Sequence, residues 1–420
     1  MHETPLTGLI LSGGGARAAY QVGVLRALVE LRRASGAPTG RNPFGIICGT
    51  SAGAINAAAL ACNADRFDAT VERIAEVWAD FAAEQVYRAD AIGVLRSGAR
   101  WLSMLSVGWV LARWRRAPPR SLLDNQPLAG LLARLVPFER LPTMLTQRHL
   151  QALAVTAFSY TTGEHVTFFD AAAPMEPFQR TQRIAVSARL GRDHLLASSA
   201  IPFVFPATRI EHPDHTGWYG DGSMRQTSPI SPAIHLGAQR VLIIGVGRMR
   251  EPPAQPVRDA DYPTLAQIGG HALSSIFLDG LSVDVERMER INRTLALIPP
   301  EAGLETPLRH VEPLVIAPSE RLDDIAARHQ ACLPRPVRAL LRGIGSTSMA
   351  GDKRGAALAS YLLFESPFTR ELMALGEADT RARRDEVLAF FGWSPAAAAA
   401  RPAAAPVVTS PSPPAPSRPA

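Results

Sequence analysis

The sequence has few of the residues that cross-link small proteins or bind metals. Its only cysteines are Cys48, Cys62 and Cys332, spaced too widely for a disulfide framework or a zinc site, so we expect buried thiols. Lys353 is its only lysine, and 44 basic residues against 38 acidic ones give a net charge of +6. This excess favours anionic surfaces only weakly, and no nucleic-acid-binding motif accompanies it. We expect no metal, cofactor or nucleic-acid partner.

Long apolar runs are also missing. No basic segment and apolar stretch precede the glycines at 13–15, so we predict no signal peptide and a cytoplasmic location. In segment 92–120 the uncharged run Trp101–Ala112 has 12 residues, whereas a membrane span needs about 20. Its tryptophans and arginines instead predict an amphipathic helix. This helix either contacts an anionic membrane peripherally or covers the functional site as a lid.

Buried strands alternate with helices along the first half of the chain. The predicted strands are 7–12, 44–48, 153–160, 165–169 and 241–246, and the predicted helices include 18–31 and the stretch that ends near 62. Such alternation predicts an α/β fold, a three-layer sandwich whose mainly parallel central sheet is flanked by helices on both faces.

The C-terminal part of the sequence has a different pattern. We predict a catalytic domain over 1–250 and a mainly helical extension over 251–394. The extension has a long helical pattern at 265–297, a strand at 314–317 and further helices at 323–330 and 356–363. Residues 395–420 are nearly all Ala, Pro and Ser, which bury too little surface to fold, so we predict a disordered tail.

The strongest local motif is Gly49-Thr50-Ser51-Ala52-Gly53, a G-x-S-x-G between a predicted strand and a predicted helix. Gly49 and Gly53 let the chain turn sharply, so that the Ser51 hydroxyl stands free at the end of the sheet. The helix N-terminus, beginning at Ala52, directs amide N–H groups at a developing oxyanion. The motif predicts a nucleophilic serine.

A second motif, Gly13-Gly14-Gly15-Ala16-Arg17, lies at another junction of strand and helix. Consecutive glycines let backbone N–H groups approach an anion closely, as a phosphate cradle or an oxyanion hole requires. The spacing also fits a dinucleotide-binding fingerprint, but no acidic residue follows Cys48 to hold a ribose. We expect Arg17 to hold the carbonyls of the glycine loop, to face a lipid phosphate or to be exposed.

The third motif is Tyr219-Gly220-Asp221-Gly222-Ser223. An aspartate between glycines is, by itself, most simply a turn former. A serine nucleophile, however, needs a base within hydrogen-bond reach, and Asp221 is a candidate. His215 and His235 lie near this loop in the sequence, but neither belongs to a recognisable motif.

Together the three motifs resemble the patatin-like phospholipase family, in which a glycine-rich loop, a G-x-S-x-G elbow and a D-G-[GA] turn occur in this order. The resemblance covers about residues 7–247 and includes Ala197–Pro202 and Phe205-Pro206. It departs from the family pattern at Ala18 and Ser223, which are both small residues.

The resemblance implies a lipid acyl hydrolase that cleaves carboxylic esters of phospholipids or acylglycerols through an acyl-enzyme intermediate. Ser51 would be the nucleophile and Asp221 its base, a dyad without histidine. The amides of Gly14 and Gly15, in the Gly13–Gly15 loop, would form the oxyanion hole with Ala52. Arg17, Gly49, Gly53 and Gly222 would support the site.

Two alternatives remain open. One is a Ser-His-Asp esterase of the α/β-hydrolase type, in which His215, His235 or His271 would be essential. Against it, Ser51 follows only the second predicted strand, whereas such enzymes usually place the elbow later. The other is a membrane-associated scaffold that has lost turnover, which the intact Ser51 and Asp221 argue against.

Overall fold

A computed structural model describes residues 5–88, 121–175, 177–249, 262, 264–277, 279–299, 308–343 and 356–393. The predicted amphipathic segment 92–120 and the predicted tail 395–420 lie outside these residues. Arg88 and Asp124, on either side of residues 89–120, form an antiparallel bridge.

The described strands join in one sheet of ten. They are β1 (Thr7–Leu11), β2 (Ile46–Thr50), β3 (Ala152–Ser159), β4 (His165–Ala171), β5 (Gln179–Arg180), β6 (Arg183–Ser187), β7 (Thr208–Ile210), β8 (Gly217–Asp221), β9 (Arg240–Ile244) and β10 (Glu312–Ile316). The order is β10-β9-β1-β2-β3-β4-β6-β5, with β8 paired to β3 and β7 to β8. All neighbours from β10 to β3 are parallel.

The described α-helices surround this sheet. They are α1 (Ala19–Ala34), α2 (Ala52–Ala61), α3 (Phe67–Ala79), α4 (Gln126–Leu135), α5 (Leu141–Thr146), α6 (Arg192–Ser198), α7 (Ser231–His235), α8 (Leu265–Phe277), α9 (Asp279–Ala296), α10 (Leu322–His329), α11 (Arg335–Gly343), α12 (Ala356–Leu362), α13 (Ser366–Ala382) and α14 (Arg384–Phe391).

The central strands are buried on both faces because their side chains alternate between two cores. Leu9 and Leu11 of β1 pack into the larger core with α1, α2 and α3. Ile10, between them, packs into a second core with α7 and α9. Near-continuous apolar strands are what a parallel sheet between two helical layers requires. The predicted fold class, with its helical C-terminal region, is confirmed.

Several predicted boundaries shift. β2 ends at Thr50 rather than Cys48 because its last residue pairs with Thr156 of β3, which extends the strand up to Ser51. The helical pattern at 265–297 contains two helices, α8 and α9. The prediction of buried thiols holds for Cys48 and Cys62 but is wrong for Cys332, which is exposed in a short 3-10 turn at the surface. Burial raises the pKa of the two buried thiols to about 12.

Residues beyond 250 pack closely on the earlier part of the chain. β10 continues the parallel sheet beside β9, with Glu312 opposite Arg240. α13 packs along α1, where Gly23 and Gly376 allow close approach of the two helices. The predicted division into domains at residue 250 stays a prediction. Within the described ranges, no helix combines the length and apolarity that a membrane crossing needs.

Candidate active site

Ser51 occupies a sharp turn between β2 and α2. Its backbone angles are φ 53° and ψ −130°, a region that residues other than glycine rarely adopt. The surroundings hold this conformation: the Ser51 N–H donates to Ser198 Oγ at 2.9 Å, and the Ala54 N–H donates to the Ser51 carbonyl at 2.9 Å. The hydroxyl thus stands at the carboxyl end of the sheet and at the N-terminus of a helix.

Asp221 is the last residue of β8, which pairs with β3 beside β2. This pairing brings together two residues 170 positions apart: Ser51 Oγ donates to Asp221 Oδ2 at 2.6 Å. The other carboxylate oxygen accepts the Ser223 N–H at 2.9 Å. The Asp221 N–H donates to the Ala200 carbonyl at 3.0 Å, which fixes the turn. Ser51 is 1% exposed and Asp221 0% exposed.

The environment of Asp221 makes it a better base than an ordinary aspartate. Burial raises the pKa of its carboxyl to about 6, although hydrogen bonds from Ser51 and Ser223 act in the opposite direction. A general base works best when its pKa is close to the operating pH. The carboxylate can therefore accept a proton from Ser51 near neutral pH while remaining largely ionised there.

The glycine loop lies directly against this pair. A Cβ at Gly13 would come within 2.3 Å of Ser223 Oγ and 3.0 Å of Ser51 Cβ, so a side chain at this position would displace the dyad. In the described part of the chain, the backbone N–H groups of Gly13, Gly14 and Gly15 donate to no protein acceptor. The Ala52 N–H, at the first position of α2, has no intrahelical acceptor either. These amides are candidates for an oxyanion hole.

Gly15 allows a direct test of the loop. Its φ is +56°, and a Cβ there would lie 2.3 Å from the Tyr361 carbonyl oxygen. We expect Gly15→Ala to cost about 2 kcal/mol or more of folding free energy, because it combines left-handed strain with a backbone clash. Displacement of one oxyanion donor should also lower kcat by about 10²-fold. Thermal denaturation and ester hydrolysis measure the two effects.

Gly36→Ala is the matched control. Gly36 also has a positive φ, +70°, but a Cβ there meets nothing within 4 Å. It should cost about 1 kcal/mol and leave kcat unchanged. Equal kcat values for the two variants would argue against a catalytic role for the loop.

Arg17 lies away from the positions predicted for it. Its side chain is 2% exposed and points toward the C-terminal helices. The guanidinium pairs with Asp323 of α10, donates to Ser360 Oγ at 2.8 Å and lies 4.2 Å from the ring centre of Tyr361. It therefore neither holds the glycine-loop carbonyls nor faces a lipid phosphate, because the half-buried carboxylate of Asp323 compensates its charge. Instead its side chain connects the end of the glycine loop to α10 and α12.

The remaining predicted glycines fit where backbone segments touch. A Cβ at Gly49 would lie 2.5 Å from Ala54 Cα, and one at Gly53 would lie 2.4 Å from the Leu11 carbonyl oxygen. At Gly222 it would lie 2.1 Å from the Thr156 carbonyl oxygen. These contacts pack the elbow against β1 and the aspartate turn against β3.

Sequence reasoning missed two residues of the site. Ser198, at the end of α6, accepts the Ser51 N–H through its side chain and the Gly222 N–H through its carbonyl, at 3.1 Å, so it links both halves of the dyad. His165 is buried, and its Nε2 lies 3.1 Å from the Gly222 carbonyl. Because a carbonyl only accepts, Nε2 carries the hydrogen. Burial lowers the pKa of His165 to about 4, so the ring is neutral.

A signal for Ser198 was present in the sequence, since it belongs to the Ala197–Pro202 stretch. For His165 the only signal was its position at the start of a predicted strand.

The histidines considered as alternative bases lie elsewhere. His235 stacks on Phe178 at 4.0 Å between ring centres. His215 lies in a surface turn, where its carbonyl accepts the Tyr219 hydroxyl at 2.6 Å, and His271 is exposed on α8. Among the described residues, no histidine side chain is hydrogen-bonded to Ser51 or Asp221.

An apolar cavity of about 400 Å³ begins at Ser51 and runs along α2. Its inner end is lined by Gly15, Ser51 and Ala52. The apolar side chains of its wall come from α2, α3, α4 and the loops beside them, and they include Ile55, Ala59, Ile74, Val77, Trp78, Leu128, Leu131, Phe205 and Phe364. Pockets of this size and character bind small apolar ligands. The buried hydroxyl-bearing side chain of Ser51 lies at its inner end.

A strand–elbow–helix serine beside a buried carboxylate, within a parallel α/β sheet, defines a candidate serine acyl hydrolase. The family model of the patatin-like phospholipases matches residues 9–234, more than half of the chain. The chain belongs to this family, and that membership supports a lipid-ester hydrolase. No curated protein matches the chain in a sequence comparison.

The solved structures that are similar to it include two bacterial proteins. VipD of Legionella pneumophila is 13% identical with a TM-score of 0.31, and the match covers 88% of this chain and 67% of that one. ExoU of Pseudomonas aeruginosa, solved with SpcU, is 20% identical with a TM-score of 0.20, and the match covers 40% of this chain and 35% of that one. The family assignment rests on the family model alone.

Proposed function

We propose that the protein hydrolyses carboxylic esters of phospholipids or acylglycerols, with Ser51 as nucleophile and Asp221 as general base. The observation that carries this proposal is the 2.6 Å hydrogen bond between Ser51 Oγ and Asp221 Oδ2 at the inner end of an apolar cavity. The hydroxyl donates directly to its proton acceptor, and the apolar walls of the cavity can bury an acyl chain away from water.

The reaction proceeds in two halves. Asp221 accepts the Ser51 proton as Oγ attacks the ester carbonyl, and the resulting oxyanion faces the amides of the Gly13–Gly15 loop and of Ala52. Protonated Asp221 then gives its proton to the leaving alcohol, which departs and leaves an acyl-enzyme. Water, deprotonated by Asp221, attacks this ester and releases the fatty acid. The proton returns to Ser51.

In this mechanism the backbone N–H groups of the oxyanion hole are the main source of rate acceleration. Each donor contributes on the order of 10² to 10³ in rate because it acts in a water-excluded site. The N-terminus of α2 adds a favourable partial charge. A carboxylate base with a pKa of about 6 suffices for an ester, since an alkoxide leaving group needs less help than an amine does.

The competing histidine mechanism has less support. His215 lies in a surface turn, His235 stacks on Phe178 and His271 is exposed on α8. His165 Nε2 donates to the Gly222 carbonyl. Replacing any of the first three should leave turnover in place under the dyad mechanism. The silent scaffold lacks support because the nucleophile and base are both present and aligned. Peripheral membrane contact through 92–120 stays a prediction.

Fatty-acid release from a panel of phospholipids and acylglycerols tests the proposal. We expect carboxylic ester cleavage and no release of phosphate or of a phosphorylated alcohol, and turnover confined to phosphate esters would contradict the proposal.

The cavity also predicts a dependence on acyl-chain length. Ala59 lies in its wall, eight residues after Ser51 on α2, which is about 12 Å along the helix.

Ala59→Phe should therefore block long acyl chains while short ones still fit. We expect the ratio of p-nitrophenyl palmitate to p-nitrophenyl butyrate turnover to fall by about tenfold, since a chain that cannot enter loses its burial energy. Ala59→Ser, which nearly keeps the volume, should retain the ratio. A ratio unchanged in a folded Ala59→Phe protein would place the acyl chain outside this cavity.

A further inference from the structure

The cavity that begins at Ser51 has a distinct outer end. The residues beside the serine, including Ser199, Ile201 and Phe205, are buried. The exposed residues of the lining are Arg66, Ala69, Arg73 and Arg134. Arg66 and Ala69 follow the C-terminus of α2, the end of this helix that is farther from Ser51. Within the described ranges, the cavity therefore opens to solvent at this end.

Positive charge surrounds this opening. Arg66, Arg73, Arg134 and Arg140 line it, and we name these four the arginine rim. The described lining of the cavity contains no Asp or Glu. Only part of the charge is compensated: Arg140 pairs with Asp65 at 2.7 Å, and Arg66 Nε lies 3.8 Å from the same carboxylate.

Two members of the rim are uncompensated. Among the described residues, neither Arg73 nor Arg134 has an ion-pair or hydrogen-bond partner, and both are exposed. Arginines without an ion-pair partner around an apolar opening are suited to contact with fixed negative charges.

The distance from the dyad to the rim fits an acyl chain. Asn63, which lines the opening, lies twelve residues after Ser51, which corresponds to about 18 Å along the helical path. An acyl chain whose carbonyl lies at Ser51 can follow α2, so that its other end reaches the opening. The methyl end of a bound chain therefore lies at the opening, where the hydrocarbon region of a bilayer can meet it.

We propose that the arginine rim is the surface by which this protein docks on anionic phospholipid bilayers, with the cavity mouth against the membrane. The inference rests on the proposed lipid-ester substrate. The arginines contact the phosphates of the surrounding headgroups, while the apolar mouth between them faces the hydrocarbon region. An arginine close to an anionic membrane surface raises affinity about fivefold, so three contribute about 100-fold.

Vesicle co-sedimentation of Ser51→Ala protein tests this docking without hydrolysis. Vesicles of phosphatidylcholine alone are compared with vesicles that also contain phosphatidylglycerol. We expect strong binding only to the anionic vesicles, weakened by salt, and a loss of about 100-fold when Arg66→Gln, Arg73→Gln and Arg134→Gln are combined. The matched control combines Arg180→Gln, Arg192→Gln and Arg209→Gln, three exposed arginines outside the cavity lining. It should bind as the parent does.

Equal binding to neutral and anionic vesicles would overturn the proposal, as would a folded rim variant that binds as tightly as the control. Circular dichroism checks the fold. If the triple variant does not fold, Arg73→Gln alone should weaken binding about fivefold and Arg73→Lys should retain it, and equal binding by these two overturns the proposal. Hydrolysis of p-nitrophenyl butyrate by wild-type protein tests the chemistry separately, because this soluble ester needs no membrane.

Discussion

Replacing Ser51 with alanine should reduce ester hydrolysis by about 10⁴-fold or more. In the proposed mechanism Oγ forms the covalent intermediate, so the variant has no acyl-enzyme route. The backbone N–H of residue 51 keeps its contact with Ser198 Oγ, so we expect the fold to be retained. The measurement is p-nitrophenyl butyrate turnover, with thermal denaturation to verify the fold.

Ser35→Ala is the control for this result. Ser35 is the residue that follows the last turn of α1, and its hydroxyl donates to the Arg32 carbonyl at 2.8 Å. It is also a serine but has no part in the proposed dyad. It should retain wild-type turnover. If Ser51→Ala retained more than a few per cent of activity in a folded protein, Ser51 would not be the nucleophile.

Asp221→Asn should lower kcat by about 10³-fold, because the amide is nearly isosteric with the carboxylate but cannot accept the Ser51 proton. In the wild type, activity should rise as pH increases through about 6, the pKa to which burial raises this carboxyl, because only the ionised form is a base. The pH profile of kcat/KM measures this pKa in the free enzyme.

The same substitution should stabilise the protein. The folded pKa of Asp221, about 6, lies above its ordinary value of 3.8, so the folded state holds the proton more tightly than the unfolded chain. This contribution is fully present below about pH 4 and is lost as pH rises through 6, a change of about 3 kcal/mol. Asp221→Asn removes the dependence, so above pH 6 its melting temperature should exceed that of the wild type.

Asp214→Asn, in an exposed turn, is the control and should change neither kcat nor the pH dependence of unfolding. A melting temperature of Asp221→Asn below that of wild type at all pH values would show that the carboxylate is a structural anchor. A pH-independent wild-type rate would remove it as the base.

Much of the fold is predictable because its determinants are local. The apolar run at 7–12 and the glycines after it predict β1 and the loop, and the alternation of strands with helices predicts a mainly parallel sheet. Boundaries depend on partners instead: β2 extends to Thr50 only because Thr156 of β3 pairs with it. The exposure of Cys332 was not predictable for a similar reason, since none of its neighbours in the sequence indicates that its turn lies at the surface.

The site divides in the same way. Ser51, Asp221 and the Gly13–Gly15 loop carry motifs, so the sequence singles them out. The partners of Arg17 do not, because Asp323 and Ser360 lie more than 300 residues later on helices with no motif, and only packing brings them together. The arginine rim likewise gathers side chains from α3, α4 and the turns that precede α3 and α5, which no pattern in the sequence connects.

Covalent labelling by a fluorophosphonate, followed by peptide mapping, tests the central claim most directly, because such a probe reacts with an activated serine. The dyad predicts one adduct, on the peptide that contains Ser51, formed slowly in Asp221→Asn and absent in Ser51→Ala. An adduct on another residue, or continued ester hydrolysis by protein that carries no adduct on Ser51 after exhaustive labelling, would contradict it.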